Sequence, residues 1–207
     1  MAKTEHPMSA LTAYIPESSF DDVLHYIHVY KVHLTVTKKR KSVLGDYRHN
    51  TIGKNHRISI NGNLNKYEFL ITLLHEIAHL LTFEQFGNRV DAHGKEWKMH
   101  YKNLLMHFIH KDIFPKDVTK ELLKTLHNPA ATANGETALL SVLRNYNAIK
   151  KVNVLTIQEL AEGVLFETEK GKVFKRGTKR RKRYECVEIN SGRLYSFSAI
   201  AEVRLIK

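Results

Sequence analysis

His75, Glu76 and His79 are residue types that bind metal ions and move protons, and they lie within one short stretch of the chain. On a helix, side chains four positions apart share one face, with Cβ atoms roughly 5–6 Å apart. Both imidazoles can therefore reach one zinc ion at about 2.0–2.1 Å. Glu76 would then lie beside a metal-bound water, where it can accept a proton. The spacing is typical of zinc-dependent hydrolases.

The stretch around these residues has the signals of a buried helix. Asn65 can cap its start, Glu68 occupies the capping-box position, and Gly87 can end it. Apolar side chains cover most of its circumference, which predicts burial. Because unpaired polar groups are costly to bury, we expect the histidines to bind metal or to be hydrogen-bonded. The alternatives are a solvated helix that carries the pattern by chance, and histidines that satisfy one another in a metal-free core.

A catalytic zinc site needs a third protein ligand and an open position for water. The metzincin pattern would place a histidine at position 85, which is Gln85, so that class is excluded. A glutamate from a following helix would be Glu96, and Asp91 is a weaker candidate. His93 has the better context, because it precedes a predicted helix and Gly94 lets the backbone approach the site.

Composition limits the classes of function. The net charge of +12 is concentrated towards the end of the chain and suggests a polyanionic partner, most often nucleic acid. A merely soluble basic surface is the alternative. No apolar run reaches the roughly 18 residues of a membrane span, and the first residues lack a secretory signal. We therefore expect a cytoplasmic protein without a membrane partner. The single cysteine, Cys186, excludes an intramolecular disulfide and a multi-cysteine zinc ribbon.

Hydrophobic periodicity predicts an α+β fold. We expect a first domain over residues 1–127, a linker and helix over 128–150, and a small basic antiparallel β module over 151–207. The first domain contains three short strands that lead into the metal helix, and helices pack around it. The predicted helices span about 20–30, 67–87, 95–110 and 115–126, and the strands 32–36, 44–48 and 57–61.

A basic run near the end of the chain is a candidate for nucleic-acid binding. Aromatic residues flank it, and alternating cations and aromatics suit phosphates and stacked bases. The alternative is a charged hairpin whose aromatics face its own core. The run consists of Lys179, Arg180, Arg181, Lys182 and Arg183, and the aromatics are Phe174, Tyr184, Tyr195 and Phe197.

The spacing His75-Glu76-x-x-His79, then His93-Gly94-x-x-Trp97, resembles the SprT-like metallopeptidase domain, which includes eukaryotic Spartan. The upstream Leu44-Gly45-x-Tyr47-Arg48 is also similar, and the resemblance covers about residues 18–127. It implies a zincin-like core with one Zn²⁺ per chain. His75, His79 and His93 would be its ligands and Glu76 the catalytic acid/base, so Glu96 would become a surface residue.

The resemblance also implies a function, which is a zinc-dependent endopeptidase acting on DNA-bound or DNA-crosslinked proteins. Bacterial SprT proteins often end in a cysteine-rich zinc ribbon, whereas this tail has a single cysteine and resembles a degenerate ribbon without metal. His100 and Tyr101 are candidates for oxyanion stabilisation, with ordinary surface and core positions as the alternative. The second hypothesis for the whole chain is a nucleic-acid-binding or transcription-associated adaptor with a structural metal site.

Overall fold

A computed structural model describes residues 6–40, 43–126, 137–148, 153–181 and 183–206. The chain divides into two compact units, Met1–Ala148 and Ile149–Lys207. The first unit mixes helices with a three-stranded sheet, and the second contains an antiparallel sheet. The predicted combination of a mixed helical and sheet region followed by a separate β module is confirmed at this level. Much of the predicted linker, residues 128–136 and 149–150, lies outside the described residues.

The first unit follows the predicted order of elements closely. The first helix buries one apolar face, which includes Val23 and Ile27. In chain order its helices and strands are α1 (Phe20–Val29), β1 (His33–Thr37), β2 (Gly45–Arg48), β3 (Arg57–Asn61), α2 (Lys66–Phe86), α3 (Lys95–His110), α4 (Lys116–Thr125) and α5 (Thr137–Leu143).

The three-stranded sheet has the order β1–β3–β2, with β3 in the centre. β1 runs parallel to β3, and β2 runs antiparallel to it. Ile58 and Ile60 of β3 are buried, whereas Arg57 on the alternate face is exposed. Because successive side chains of a strand point to opposite faces, one face of the sheet covers the helical core and the other carries polar residues.

Helix α2 lies at the centre of the first unit. The Asn65 side chain accepts a hydrogen bond from the Glu68 backbone N–H at 3.0 Å, and Gly87 follows the last helical residue. Both predicted ends of this helix are therefore confirmed. Asn65 also donates to the Leu143 carbonyl and to the Asn147 side chain, both at 2.9 Å, and so ties α5 to the start of α2. Most of the helix is buried.

Helix α3 packs against α2 through an apolar face. The interface consists of large side chains that recur every three or four residues, as expected for a helix that covers a core. The buried members are Trp97, Tyr101, Leu104, Leu105 and Phe108. This packing brings the start of α3 beside the middle of α2.

The second unit is a six-stranded antiparallel sheet with the order β4–β9–β5–β6–β7–β8. Its own apolar core forms around Phe166 and Phe174, and it includes the buried Cys186. The strands are β4 (Val154–Thr156), β5 (Leu165–Glu167), β6 (Val173–Arg180), β7 (Arg183–Glu188), β8 (Leu194–Ser198) and β9 (Glu202–Leu205). Within the parts of the chain that the structure describes, no helix has the length and apolarity to cross a membrane.

Candidate metal centre

Three histidines from two separate elements meet at one point. His75 and His79 lie one turn apart on α2, and His93 lies in the segment before α3. One side-chain nitrogen from each lies within 4.8 Å of the others. The ring centroids are 5.1 Å apart for His75 and His79, and 4.6 Å apart for His79 and His93. Such a cluster can hold a single metal ion.

A tight turn delivers His93 to the cluster. The Gly94 N–H donates to the Asp91 carbonyl at 3.0 Å, and α3 begins immediately afterwards. A Cβ at Gly94 would lie only 3.2 Å from that same carbonyl oxygen and 3.2 Å from Oε2 of Glu96. Glycine is therefore the residue that this turn accommodates without displacing its neighbours, and the turn fixes where His93 points.

The Trp97 ring packs against all three histidines of the cluster. Its centroid lies 4.7 Å from that of His75, 5.4 Å from that of His79 and 4.8 Å from that of His93. The Trp97 side chain is fully buried, and Tyr101 stacks on it at 4.9 Å. A rigid aromatic surface beneath all three imidazoles restricts their rotation, so the cluster is organised before any ligand arrives.

The three imidazoles are held in the neutral form. Burial, together with the neighbouring His79 and His93, lowers the pKa of His75 to about 3. Burial and His93 lower the pKa of His79 to about 4, and burial lowers the pKa of His93. Neutral imidazole nitrogens offer lone pairs to a metal. The buried Nδ1 of His75 and Nε2 of His93 have no hydrogen-bond partner, so the cluster fits a cation.

Glu76 lies next to the cluster and has only 7% of its surface exposed. Burial and the nearby Asp46 carboxylate, opposed by the Arg40 guanidinium, together raise the pKa of Glu76 to about 8. Without a cation nearby the side chain therefore holds a proton near neutral pH. A positive charge among the histidines would favour its ionised form.

A cavity of about 510 Å³ gives access to these groups. The second strand, β2, forms one wall, and the segment between α2 and α3 forms another. His75, Glu76, His79 and His93 all line it. The site thus combines three histidines that could hold a metal ion, a buried carboxyl group and a cavity that reaches them both.

The other candidate ligands do not join the cluster. Glu96 and Asp91 are not among the grouped metal-binding side chains of the described residues, although Asp91 lines the cavity. His100 and Tyr101 do not line the cavity, and Tyr101 packs beneath His75 with its ring 5.4 Å away. Their positions therefore agree with the alternative of ordinary surface and core residues and give no support to oxyanion stabilisation.

The basic run of the second unit lies at the β6–β7 hairpin. Its described members are exposed: Lys179, Arg180, Arg181 and Arg183. Lys182 lies outside the described residues.

The aromatic residues near this hairpin are mostly turned inward. Phe174 and Tyr184 are buried in the core of the unit, while 37% of Tyr195 is exposed. The Arg176 guanidinium stacks over the Tyr184 ring at 4.5 Å. The hairpin surface therefore offers charge for phosphates, and these two buried rings are not available for stacking on bases.

Comparison with known proteins agrees with this geometry. The model of the SprT-like family matches residues 12–119, just over half of the chain, and these include every member of the cluster. The chain belongs to the SprT-like family. No solved structure matches it.

Curated relatives of this SprT-like chain match over short segments. The protein named Protein SprT from Glaesserella parasuis serovar 5 (strain SH0165) is 61% identical over 31 residues, which are 15% of this chain and 19% of the relative. Its namesake from Klebsiella pneumoniae (strain 342) is 50% identical over 42 residues, 20% of this chain and 25% of the relative. The protein of the same name from Pseudomonas putida (strain W619) is 47% identical over 36 residues, which are 17% of this chain and 22% of the relative. The chain spans a quarter or less of these relatives.

One part of the SprT-like site has no clear signal in the sequence. The Tyr47 hydroxyl and Nδ1 of His56 are hydrogen-bonded at 2.9 Å, and Nε2 of His56 lies 3.1 Å from Oε1 of Glu84. The Tyr47 ring is parallel to that of His79, with centroids 6.4 Å apart. His56 is buried and joins β2 to α2 through this chain of contacts. Because His56 is separated in sequence from Tyr47 and Glu84, the sequence alone does not indicate these contacts.

Proposed function

We propose that the chain is a zinc-dependent endopeptidase with a zincin-like core. The observation that carries the proposal is the meeting of His75, His79 and His93 beside the buried carboxyl group of Glu76, in a cavity open to substrate. Neutral imidazoles, two of them with buried nitrogens that lack partners, support a metal, and a set of three histidines suits zinc with one position left open.

The residues have separate roles in hydrolysis. His75, His79 and His93 would hold the ion, which supplies Lewis acidity and an activated water when bound. Glu76 accepts a proton from the attacking water and returns it to the leaving amine. The Trp97 ring and the turn at Gly94 keep the ligands in place, so that little reorganisation is needed during the reaction.

The neighbouring strand supports a peptide as substrate. β2 forms the edge of its sheet, with β3 on one side, and its residues Gly45, Asp46 and Tyr47 line the cavity. An edge strand presents backbone groups that an extended peptide can pair with. Such pairing uses the main chain of the substrate and does not require a chain end, so it favours cleavage within a chain.

Charge and family resemblance support proteins bound to DNA as the substrates. The net charge is +12, and the β6–β7 hairpin exposes several arginines and lysines. Basic surfaces of this kind contact phosphates without reading sequence. The chain would then be held near its substrates by the nucleic acid to which they are attached.

The test uses Glu76→Gln and a matched control, Glu17→Gln, which removes the same charge from an exposed position. A basic DNA-binding protein is incubated with each variant, zinc and single-stranded DNA. We expect Glu76→Gln to retain about one zinc per chain and to lose cleavage, while Glu17→Gln cleaves like the unmodified protein. His93→Ala should lose both zinc and cleavage.

Two results would contradict the proposal. Unchanged cleavage by Glu76→Gln would exclude its role as the acid/base. DNA binding that survives zinc removal, without cleavage of any protein offered, would favour the nucleic-acid-binding adaptor instead.

A further inference from the structure

The face of the three-stranded sheet that points away from α2 carries a row of basic side chains. His33 of β1 lies opposite Arg57 of β3, and Arg57 lies opposite Arg48 of β2. All three are exposed. We call His33, Arg57 and Arg48 the cation row. Since neighbouring strands are about 4.7–4.9 Å apart, the row spans roughly 10 Å across the sheet.

This arrangement is electrostatically unfavourable by itself. Like charges directly opposite each other on neighbouring strands are destabilising, and Arg48 and Arg57 are such a pair. Arg48 is partly compensated, because its Nε lies 3.0 Å from Oδ2 of Asp46. Arg57 forms no ion pair with any acidic side chain in the described parts of the chain. An anion placed between the two guanidinium groups would relieve their repulsion.

A shallow groove of about 320 Å³ runs along the same face. Thr35 and Ser59 add hydroxyl groups to its lining, and Asp46 is the one carboxylate among the described lining residues. The Arg40 guanidinium also lines it, held by hydrogen bonds to Ser59 Oγ at 2.9 Å and to Asn61 Oδ1 at 2.8 Å. Three arginines against one aspartate leave two net positive charges in the groove.

We propose that the cation row and its groove bind the phosphate backbone of a nucleic-acid strand. The row is wider than a single phosphate group, so a polymer that repeats its negative charge fits it better than an isolated anion. Guanidinium groups suit phosphate oxygens because their paired N–H donors match them in geometry. No Phe, Tyr or Trp is among the described lining residues, so the contact would be independent of base sequence.

The location connects this surface to the cavity of the metal centre. Arg48 and Asp46 lie on β2, and the same strand carries Gly45 and Tyr47 along the cavity wall. Nucleic acid on the cation row would therefore lie on the outer side of the strand that borders the cavity. The inference shares its partner with the proposed function, but the binding surface itself requires neither metal nor catalysis.

The experiment measures binding of fluorescein-labelled oligodeoxythymidine by anisotropy over a range of salt concentrations, with the full chain. Arg57→Glu and Arg57→Gln test the centre of the row. Lys120→Glu, which changes an exposed residue of α4, is the charge-matched control for the reversal. We expect Arg57→Glu to weaken binding about tenfold at low salt and to reduce the slope of log affinity against log salt by about 1, whereas Lys120→Glu has little effect.

Three outcomes would overturn the inference. The first is unchanged binding by both Arg57 variants, and the second is an equal loss for Lys120→Glu, which would indicate net charge alone. The third is competition by polyglutamate as effective as competition by unlabelled DNA, which would assign the surface to acidic proteins. Circular dichroism checks that each variant folds. If Arg57→Glu does not fold, the milder Arg57→Gln still tests the loss of the positive charge. The binding experiment does not depend on cleavage. If the Arg57 variants bind DNA normally, the peptidase proposal still stands, and if no peptidase activity is found, the binding result still stands.

Discussion

Gly45 lies directly against the carboxyl group of Glu76. A Cβ at position 45 would stand 2.5 Å from Oε1 of Glu76, 2.9 Å from its Cγ and 2.9 Å from Cγ2 of Thr72. These distances are shorter than van der Waals contact, so only glycine allows β2 to approach α2 this closely. Gly45 does not have a positive φ, and the requirement is therefore one of space between two elements.

We expect Gly45→Ala to displace the Glu76 side chain without removing the metal. The added methyl group must push the carboxyl group or the strand aside, and a displacement of about 1 Å can cost on the order of 100-fold in rate. The measurement is kcat for peptide cleavage together with zinc content per chain. Full zinc occupancy with a strongly reduced kcat is the expected result, and an unchanged kcat would show that the Glu76 position is not critical.

The single tryptophan should report metal binding. Trp97 contacts the rings of all three histidines at 4.7–5.4 Å, and the chain has no second tryptophan to add background. Zinc should change its emission until about one equivalent is bound, and Co²⁺ should quench it. His93→Ala should abolish the response, while the exposed His110→Ala should keep it. A response that survives His93→Ala would place the metal elsewhere.

Tyr47→Phe tests the contact chain that joins Tyr47, His56 and Glu84. The change keeps the ring beside His79 but leaves the buried Nδ1 of His56 without its 2.9 Å partner. Loss of a partner from a buried polar group costs about 1–3 kcal/mol, which urea denaturation can measure. Tyr146→Phe is the control, because its hydroxyl donates to Asp117 in an exposed pair at 2.7 Å and its loss should cost about 1 kcal/mol or less. Equal costs for the two variants would contradict a structural role for His56.

The parts of the site that depend on local sequence could be predicted. Asn65, Gly87 and the one-turn spacing of His75 and His79 act within a single helix, where each signal is a few residues from its effect. His93 could be proposed because Gly94 and a helix start follow it at once.

Relationships between distant segments could not be predicted. The approach of Gly45 to Glu76, the link from His56 to Glu84, and the alignment of Arg48 with Arg57 depend on strand register and helix packing. The burial of Tyr184 in the second unit could not be predicted for the same reason, because it depends on which face of β7 covers the core.

The metal-free protein should reveal the cost of burying Glu76. Burial raises the pKa of Glu76 to about 8, from an ordinary value of 4.5 in the unfolded chain. Between these values the unfolded state releases a proton that the folded state retains, so this group lowers stability as pH rises from about 4.5 to about 8. His75 and His79 act in the opposite sense, because their lowered pKa values reduce stability as pH falls below 6.5.

A comparison of Glu76→Gln with the unmodified chain isolates the first effect, since both proteins contain the same histidines. After zinc is removed with a chelator, we expect Glu76→Gln to be the more stable protein at pH 8, by on the order of a few kcal/mol. The difference should shrink as the pH falls towards 4.5 and vanish below it, where Glu76 becomes protonated in both states. Glu17→Gln, at an exposed position, should show little change over the same range. A difference for Glu76→Gln that does not vary with pH would mean that the carboxyl group is not held protonated by its surroundings.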